Sequence, residues 1–271
     1  MTTLPTVFVS HGAPTYAKEP GVAGAQLRSL ALALGKPKAI VIFSPHWMTA
    51  GVKITVSRRP ETIHDFGGFP PELYEIQYPA PGAPDVAARV AQLLNARGTR
   101  VRLDEERGLD HGAWVPLMHM YPDADVPVVQ VSIPFDADEL QAYELGRALA
   151  PLADEGILII GSGSLTHNLY EFRMGDVEGA DYVHEFSAWM RAAVQAGDTE
   201  KLLQALTDAP HAGRAHPTTD HYLPVLIAAG AAIAPVPATV LDGGIRHGVL
   251  AMESYVFGQE LALPQAGGLH V

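Results

Sequence analysis

Short runs of apolar, mostly β-branched residues recur along the chain, each followed by serine, proline or glycine. They lie at residues 6–9 (TVFV), 39–43 (AIVIF), 126–133 (VPVVQVSI), 157–160 (ILII) and, broken by prolines, 234–240 (APVPATV). A run this short and this uniformly apolar predicts a strand buried on both faces. Such strands belong to parallel or mixed sheets covered by helices. Two further runs alternate. Residues 52–57 (VKITVS) read as a more exposed strand, and residues 99–103 (TRVRL) as a strand near an edge.

Helical spacing fills the intervals. Residues 85–97 place Val86, Val90, Leu93 and Leu94 on one face, and Gly98 follows as a C′ residue. Residues 138–152 behave similarly, as do 182–195 with Val183, Phe186, Met190 and Val194. Thr218 or Asp220 could cap a helix that runs to Ala229 and closes at Gly230. Strands alternating with helices imply an α/β fold of three layers with a mostly parallel or mixed central sheet. No repeat, low-complexity tract or linker interrupts the pattern. One domain over residues 1–271 is expected.

Composition removes several classes of function. The chain has 18 basic and 30 acidic residues, a formal charge of −12, and lacks the basic surface that nucleic-acid binding needs. With no cysteine there is no disulfide framework, no cysteine-ligated metal and no thiol nucleophile. The N-terminus lacks a basic n-region and a long apolar core, and no window reaches the ~20 apolar residues of a membrane span. A cytoplasmic protein without a membrane partner is expected.

Twelve histidines remain as the unusual feature. His11 follows the first strand, His46 the second, and His167 the ILII run. Ligand crevices of open α/β sheets form at the carboxyl ends of strands, so these three can converge. Ser10 and Ser44 are candidates to fix the imidazole tautomers. His111 stands before an apolar stretch, and His221 in a first helical turn. Histidines without cysteine suit a nitrogen and oxygen metal site: zinc, iron(II) or manganese. Taken singly, each is more often a hydrogen-bonded structural residue than a ligand; the case for a metal rests on three of them at successive strand ends. His119, His184, His211, His216, His247 and His270 read as surface or structural residues. Ser162, between Gly161 and Gly163, sits in neither a phosphate loop nor a GxSxG elbow.

The longest stretch without an assigned element is 58–84, which carries Phe66, Phe69, Tyr74 and Tyr78. A loop of this length in a single domain is a lid or a small satellite core. His64 within it either contacts substrate or caps the loop.

The motifs FVSHGAP around His11, FSPHW around His46, TIHDFGGFPPELYEIQYPAPG at 62–82, GLDHGAWVPL around His111, GSGSLTHNL around His167 and HPTTDHYLPVLIAAGA around His221 occur in one order. In that order the chain resembles the class III extradiol ring-cleavage dioxygenases, in the DOPA 4,5-dioxygenase-like branch. These are relatives of the catalytic subunit of protocatechuate 4,5-dioxygenase. The resemblance covers a core of about 6–257. It implies one divalent metal per chain, non-haem iron(II) or zinc, held by His11, His46 and His221. His167 is implied as the acid/base residue, close enough to the metal to be counted a ligand. His111 is implied as the other pocket histidine, facing substrate or oxygen. The implied partners are a small aromatic diol and O2, and the implied product is a muconic semialdehyde. His64, Phe66 and Phe69 are the candidate substrate contacts. His221 stands where protocatechuate-type relatives carry a carboxylate, and an all-histidine site favours zinc over iron(II). A zinc-dependent hydrolase and a non-catalytic zinc or aromatic-ligand binder are the competing readings. The chain could also form a homo-oligomer.

Overall fold

The structure, a computed structural model, describes residues 3–175, 177–233 and 237–261. In chain order its elements are β1 (Thr6–Ser10), α1 (Gly21–Leu34), β2 (Ala39–Thr49), β3 (Val52–Thr55), α2 (Pro84–Ala96) and β4 (Val101–Asp104). There follow α3 (His111–Met120), β5 (Val128–Pro134), α4 (Glu139–Leu149), β6 (Ile157–Gly163), α5 (Asp181–Ala196) and α6 (Thr199–Asp208). The chain continues through α7 (Ala212–Ala215), α8 (Leu223–Ala231), β7 (Thr239–Leu241), β8 (Ile245–Arg246), β9 (Leu250–Ala251) and β10 (Ser254–Phe257).

An eight-stranded sheet runs β4-β3-β5-β2-β6-β1-β10-β7, with β8 and β9 forming a separate small ladder. β5, β2, β6 and β1 are mutually parallel, and the edges join antiparallel through β3 and β10. The apolar runs form these central strands: Val41, Ile42, Phe43, Ile159 and Ile160 are wholly buried.

Strand alternation on β6 separates the two covering layers. A Cβ on Gly161 would lie 2.0 Å from the Pro224 carbonyl oxygen, so this position faces α8 at backbone contact. Ser162, the next residue, points the other way and donates to the Gly112 carbonyl of α3. The sheet is therefore sandwiched between α8 on one side and α3 on the other, as the three-layer reading requires.

Several local expectations change. β2 does not stop at Phe43. Between the pairs Phe43↔Val131 and Met48↔Ile133 it takes five steps to its neighbour's two, so residues 44–47 bulge out with His46 among them. β3 is buried rather than exposed at Val52, Ile54 and Thr55, because β4 covers its outer edge. α8 begins at Leu223 with no side-chain cap, leaving His221 two residues before it instead of in its first turn. Gly230 lies inside α8 and does not close it. A Cβ there would meet the Tyr143 carbonyl oxygen at 2.0 Å, and one on Gly146 of α4 would meet the Ile227 carbonyl oxygen at 2.0 Å. The two glycines let α4 and α8 touch backbone to backbone. Of the proline-broken run, 237–240 lie within the described residues and β7 starts at Thr239; residues 234–236 and His270 lie outside them.

The 58–84 segment is tied down rather than free. It bridges Thr62↔Leu109 and Gly82↔Val128, and Trp114 Nε1 donates to the Ile63 carbonyl. Among the described residues no helix is long and apolar enough to cross a membrane.

Candidate metal centre

The order β2-β6-β1 makes three neighbouring parallel strands deliver His46, His167 and His11 at one edge of the sheet. His221 arrives from the approach to α8, and His111 is the first residue of α3, whose N-cap Asp110 accepts from the Ala113 amide. Ring centroids of His11 lie 5.0, 5.5 and 5.4 Å from those of His46, His111 and His221. All five histidines line one cavity of about 300 Å³.

Hydrogen bonding chooses the nitrogens that face inward. The Ser162 hydroxyl has one proton and gives it to the Gly112 carbonyl, so toward His11 Nδ1, 3.0 Å away, it can only accept. His11 therefore carries its proton on Nδ1 and presents a bare Nε2. His221 Nδ1 is 2.5 Å from Asp220 Oδ2, a carboxylate that accepts, which leaves Nε2 bare as well. That Nε2 is buried and meets no protein partner. His46 Nε2 lies 3.1 Å from His11 Nε2. One nitrogen from each of His11, His46 and His221 falls within 4.8 Å of the others.

Burial keeps these rings neutral. It drives His11 and His221 well below the usual imidazole value, with repulsion among the clustered histidines adding to it and, at His221, with Asp220 pulling the other way. Burial, and then His111, lowers His46 to about 4. The bare Nε2 atoms of His11 and His221 converge with His46, and a cation placed among the three nitrogens would be held by all of them. Neutral imidazole is the form that binds metal, so the donor set fits one divalent ion of the zinc or iron(II) kind.

His167 does not join that triplet. Its ring stacks flat on His221, centroids 3.4 Å apart and planes 5° apart, and its amide donates to the Ala215 carbonyl. Burial lowers its pKa, so it is a free base at neutral pH.

Asp65 was not singled out by sequence reading, although it stands in the flagged IHDF motif. It accepts from the His111 amide at 2.8 Å. Its Oδ1 is also 3.0 Å from His111 Nδ1, off the line of a good hydrogen bond, and its Oδ2 is 3.7 Å from His46 Nδ1. Burial alone would raise this carboxyl, but contacts with His111 and the charge of His46 hold it down to about 2. Burial opposes ionisation of Asp220 too, and the His221 hydrogen bond overrides it. With His46 and His111, Asp65 forms a second group of closely placed donors.

The serines differ from expectation. Ser10 donates to the Glu253 carbonyl and accepts from the Leu165 amide, and Ser44 accepts from the His46 amide, so both hold backbone rather than imidazole. Ser162 is the residue that touches a ring.

Phe66 and Phe69 line the cavity, Phe66 standing edge-on to His111 with centroids 5.6 Å apart. His64 does not line it: its Nε2 faces the Ile76 carbonyl at 2.9 Å, and its ring packs against Phe66 and Trp114. The segment is thus both a satellite aromatic core and a wall of the cavity. Of the remaining histidines, His119 Nε2 meets the Tyr16 carbonyl, His216 Nε2 the Leu165 carbonyl and His211 Nε2 the exposed Glu185 carboxylate. These are structural and surface roles.

Residues 4–257 match the family described as the catalytic LigB subunit of aromatic ring-opening dioxygenase, and the chain belongs to that family of enzymes. It is 41% identical over 256 residues to the 4,5-DOPA dioxygenase extradiol of Beta vulgaris, covering 93% of this chain and 96% of the relative. It is 39% identical over 261 residues to the protein of the same name from Escherichia coli K12, covering 95% and 96%. The crystal structure of an uncharacterized protein from Escherichia coli K12 superposes with a TM-score of 0.74 at 32% identity, covering 94% of this chain and all of the other.

Proposed function

We propose that this chain is a metal-dependent extradiol dioxygenase. It opens the ring of a catechol, a DOPA-like aromatic diol, with O2 to give a muconic semialdehyde in the cytoplasm. The observation that carries the reading is the trio of converging imidazole nitrogens of His11, His46 and His221 beside two further histidines in an aromatic-walled cavity. When bound there, iron(II) would supply Lewis acidity toward the catechol oxygens and a redox path by which the catechol's electrons reach O2, whereas zinc would supply the Lewis acidity alone.

The protein's own groups divide the remaining work. His167, held as a free base by burial, takes a proton from a catechol hydroxyl and returns it later as an acid. His111, packed edge-on to His11 and fixed by Asp65, donates toward the oxygen on which negative charge develops. Asp220 and Ser162 keep the inward nitrogens of His221 and His11 unprotonated. Phe66 and Phe69 stack on the ring and exclude water.

The test is anaerobic loading with iron(II), addition of a panel of catechols, and admission of O2. The expected result is O2 uptake with a yellow ring-opened product, and none with the zinc-loaded protein. No uptake with any catechol refutes the proposal. The all-nitrogen donor set favours a second reading, a zinc hydrolase, which turnover by the zinc form without O2 would identify.

A further inference from the structure

Two of the three converging histidines have an outer partner that fixes the ring proton: Ser162 for His11 and Asp220 for His221. His46 has no such partner at hydrogen-bond distance, and its inward nitrogen is not bare. Its Nε2 stands 3.1 Å from His11 Nε2. His11 keeps its proton on Nδ1 for Ser162, so only His46 can supply the hydrogen in that contact. Without a cation, His46 is the Nε2–H tautomer and donates to His11.

A cation held by all three histidines needs that nitrogen free of its proton. Burial keeps the His46 ring neutral, so the proton must then sit on Nδ1.

The surroundings of His46 leave one carboxylate oxygen for an Nδ1–H. Cδ2 packs where a Cβ on Gly112 would lie 3.0 Å away, and the His111 ring lies against that of His46 with centroids 4.0 Å apart. The Asp110 oxygens already accept from Ala113, Arg107 and Gln130. Asp65 Oδ2 lies 3.7 Å from His46 Nδ1 and takes no hydrogen bond among the described residues. Its sister oxygen accepts from the His111 amide at 2.8 Å, which holds the carboxylate against the first turn of α3. The Oδ2 gap is about 0.8 Å longer than a good N–H···O bond. His46 stands on the bulge of β2, outside the regular ladder, where its ring can re-aim without breaking strand pairing.

We infer that Asp65 is a positioning residue of the metal centre. When the site is loaded, His46 exchanges its Nε2–H for an Nδ1–H, and Asp65 Oδ2 accepts the hydrogen bond from Nδ1. The ring stays neutral and the protein gains or loses no proton in this exchange, which solvent can mediate because the His46 side chain is 22% exposed. One carboxylate then serves two pocket histidines, His46 through its ring and His111 through its amide. The inference rests on the ligand assignment proposed above, and its test reads Asp65 apart from that assignment.

Full-length wild type, Asp65→Asn, Asp65→Ala and His46→Gln are compared metal-free and zinc-loaded. All are held at one pH and at a temperature where circular dichroism shows each folded. Long-range nitrogen–proton NMR of histidine-labelled protein reads the tautomer of each ring, and the signals lost in His46→Gln assign His46. His46 should be the Nε2–H tautomer without metal, and the Nδ1–H tautomer with zinc on Nε2. Chelator competition should find zinc at least about tenfold weaker in Asp65→Asn, the usual cost of losing an outer partner of a metal-binding histidine. The asparagine oxygen stays on the His111 amide, which turns its NH2 toward His46 and favours the wrong tautomer. Asp65→Ala leaves Nδ1 to water and should weaken zinc less than Asp65→Asn. Simple attraction between a carboxylate and a cation predicts equal losses, and equal losses overturn the inference. So does zinc affinity of Asp65→Asn within about twofold of wild type, or a metal-free His46 that already carries its proton on Nδ1. Zinc bound with His46 left free refutes the ligand assignment and this inference together. Loss of zinc in His46→Gln with no effect of Asp65→Asn upholds the assignment and overturns this inference alone.

Discussion

Replacing Ser162 by alanine tests how the metal-facing nitrogen of His11 is chosen. In the native arrangement the serine proton is committed to the Gly112 carbonyl, and the serine oxygen accepts from His11 Nδ1. Alanine removes the acceptor. The Nδ1 proton then has no buried partner, and the opposite tautomer, with its proton on Nε2 beside His46, becomes competitive. Loss of an outer hydrogen-bond partner of a metal-binding histidine costs about 10–100-fold in metal affinity, or roughly 1.4–2.7 kcal/mol. The Gly112 carbonyl and His11 Nδ1 also become unsatisfied, at about 1–3 kcal/mol each in stability. The assay is zinc competition against a chromophoric chelator at a temperature where circular dichroism shows the variant folded. Zinc affinity within about twofold of wild type in the folded variant would refute the tautomer argument, since loss of an outer partner predicts at least about tenfold.

Other outcomes follow from the same geometry. His46→Ala removes one of three converging nitrogens, so elemental analysis should find the metal largely lost from purified protein; unchanged content would reject the ligand assignment. His167→Ala should lower kcat by about 10²–10⁴-fold, the usual worth of a general base, with metal content unchanged, because its ring stacks on His221 outside the triplet. His216 is buried and pushed down to about 4 by that burial. Its unfolded value is ~6.5, so the unfolded chain takes up the proton first as pH falls. The stability it contributes is present above about pH 6.5 and is lost toward pH 4, to a limit on the order of 3 kcal/mol. Urea midpoints of metal-free wild type and His216→Gln across that range should converge at low pH; parallel curves would count against it. Gly230→Ala would drive a methyl against the Tyr143 carbonyl and should destabilise by about 1–3 kcal/mol through overpacking, read as a lower urea midpoint.

The central strands, though not where they end, were readable because burial on both faces writes a continuous apolar run into the local sequence. Phe43 and Ile160 are examples. The histidines His11 and His167 were readable as residues that follow a strand for the same reason, and His46 as one that follows an apolar run. What escaped was long-range or conformational. The continuation of β2 past Phe43 depends on a bulge paired to β5, which no residue in FSPHW announces. Gly230 looked like a helix stop, yet its missing side chain serves an approach to α4. Asp65 lies 46 residues from His111 in sequence, and Ser162 lies 151 from His11. Their partnerships exist only once the sheet and its covering helices are assembled.

By itself the sequence determined the fold class, the absence of thiolate ligands, the family resemblance and the five histidines that the structure brings to one cavity. Tertiary structure decided their arrangement: which three converge, which one stacks aside, and what surface lines the cavity they share. Residue type and spacing record what a segment buries. Strand order sets which ends become neighbours, and only then can a hydroxyl or carboxylate fix the proton on a distant ring.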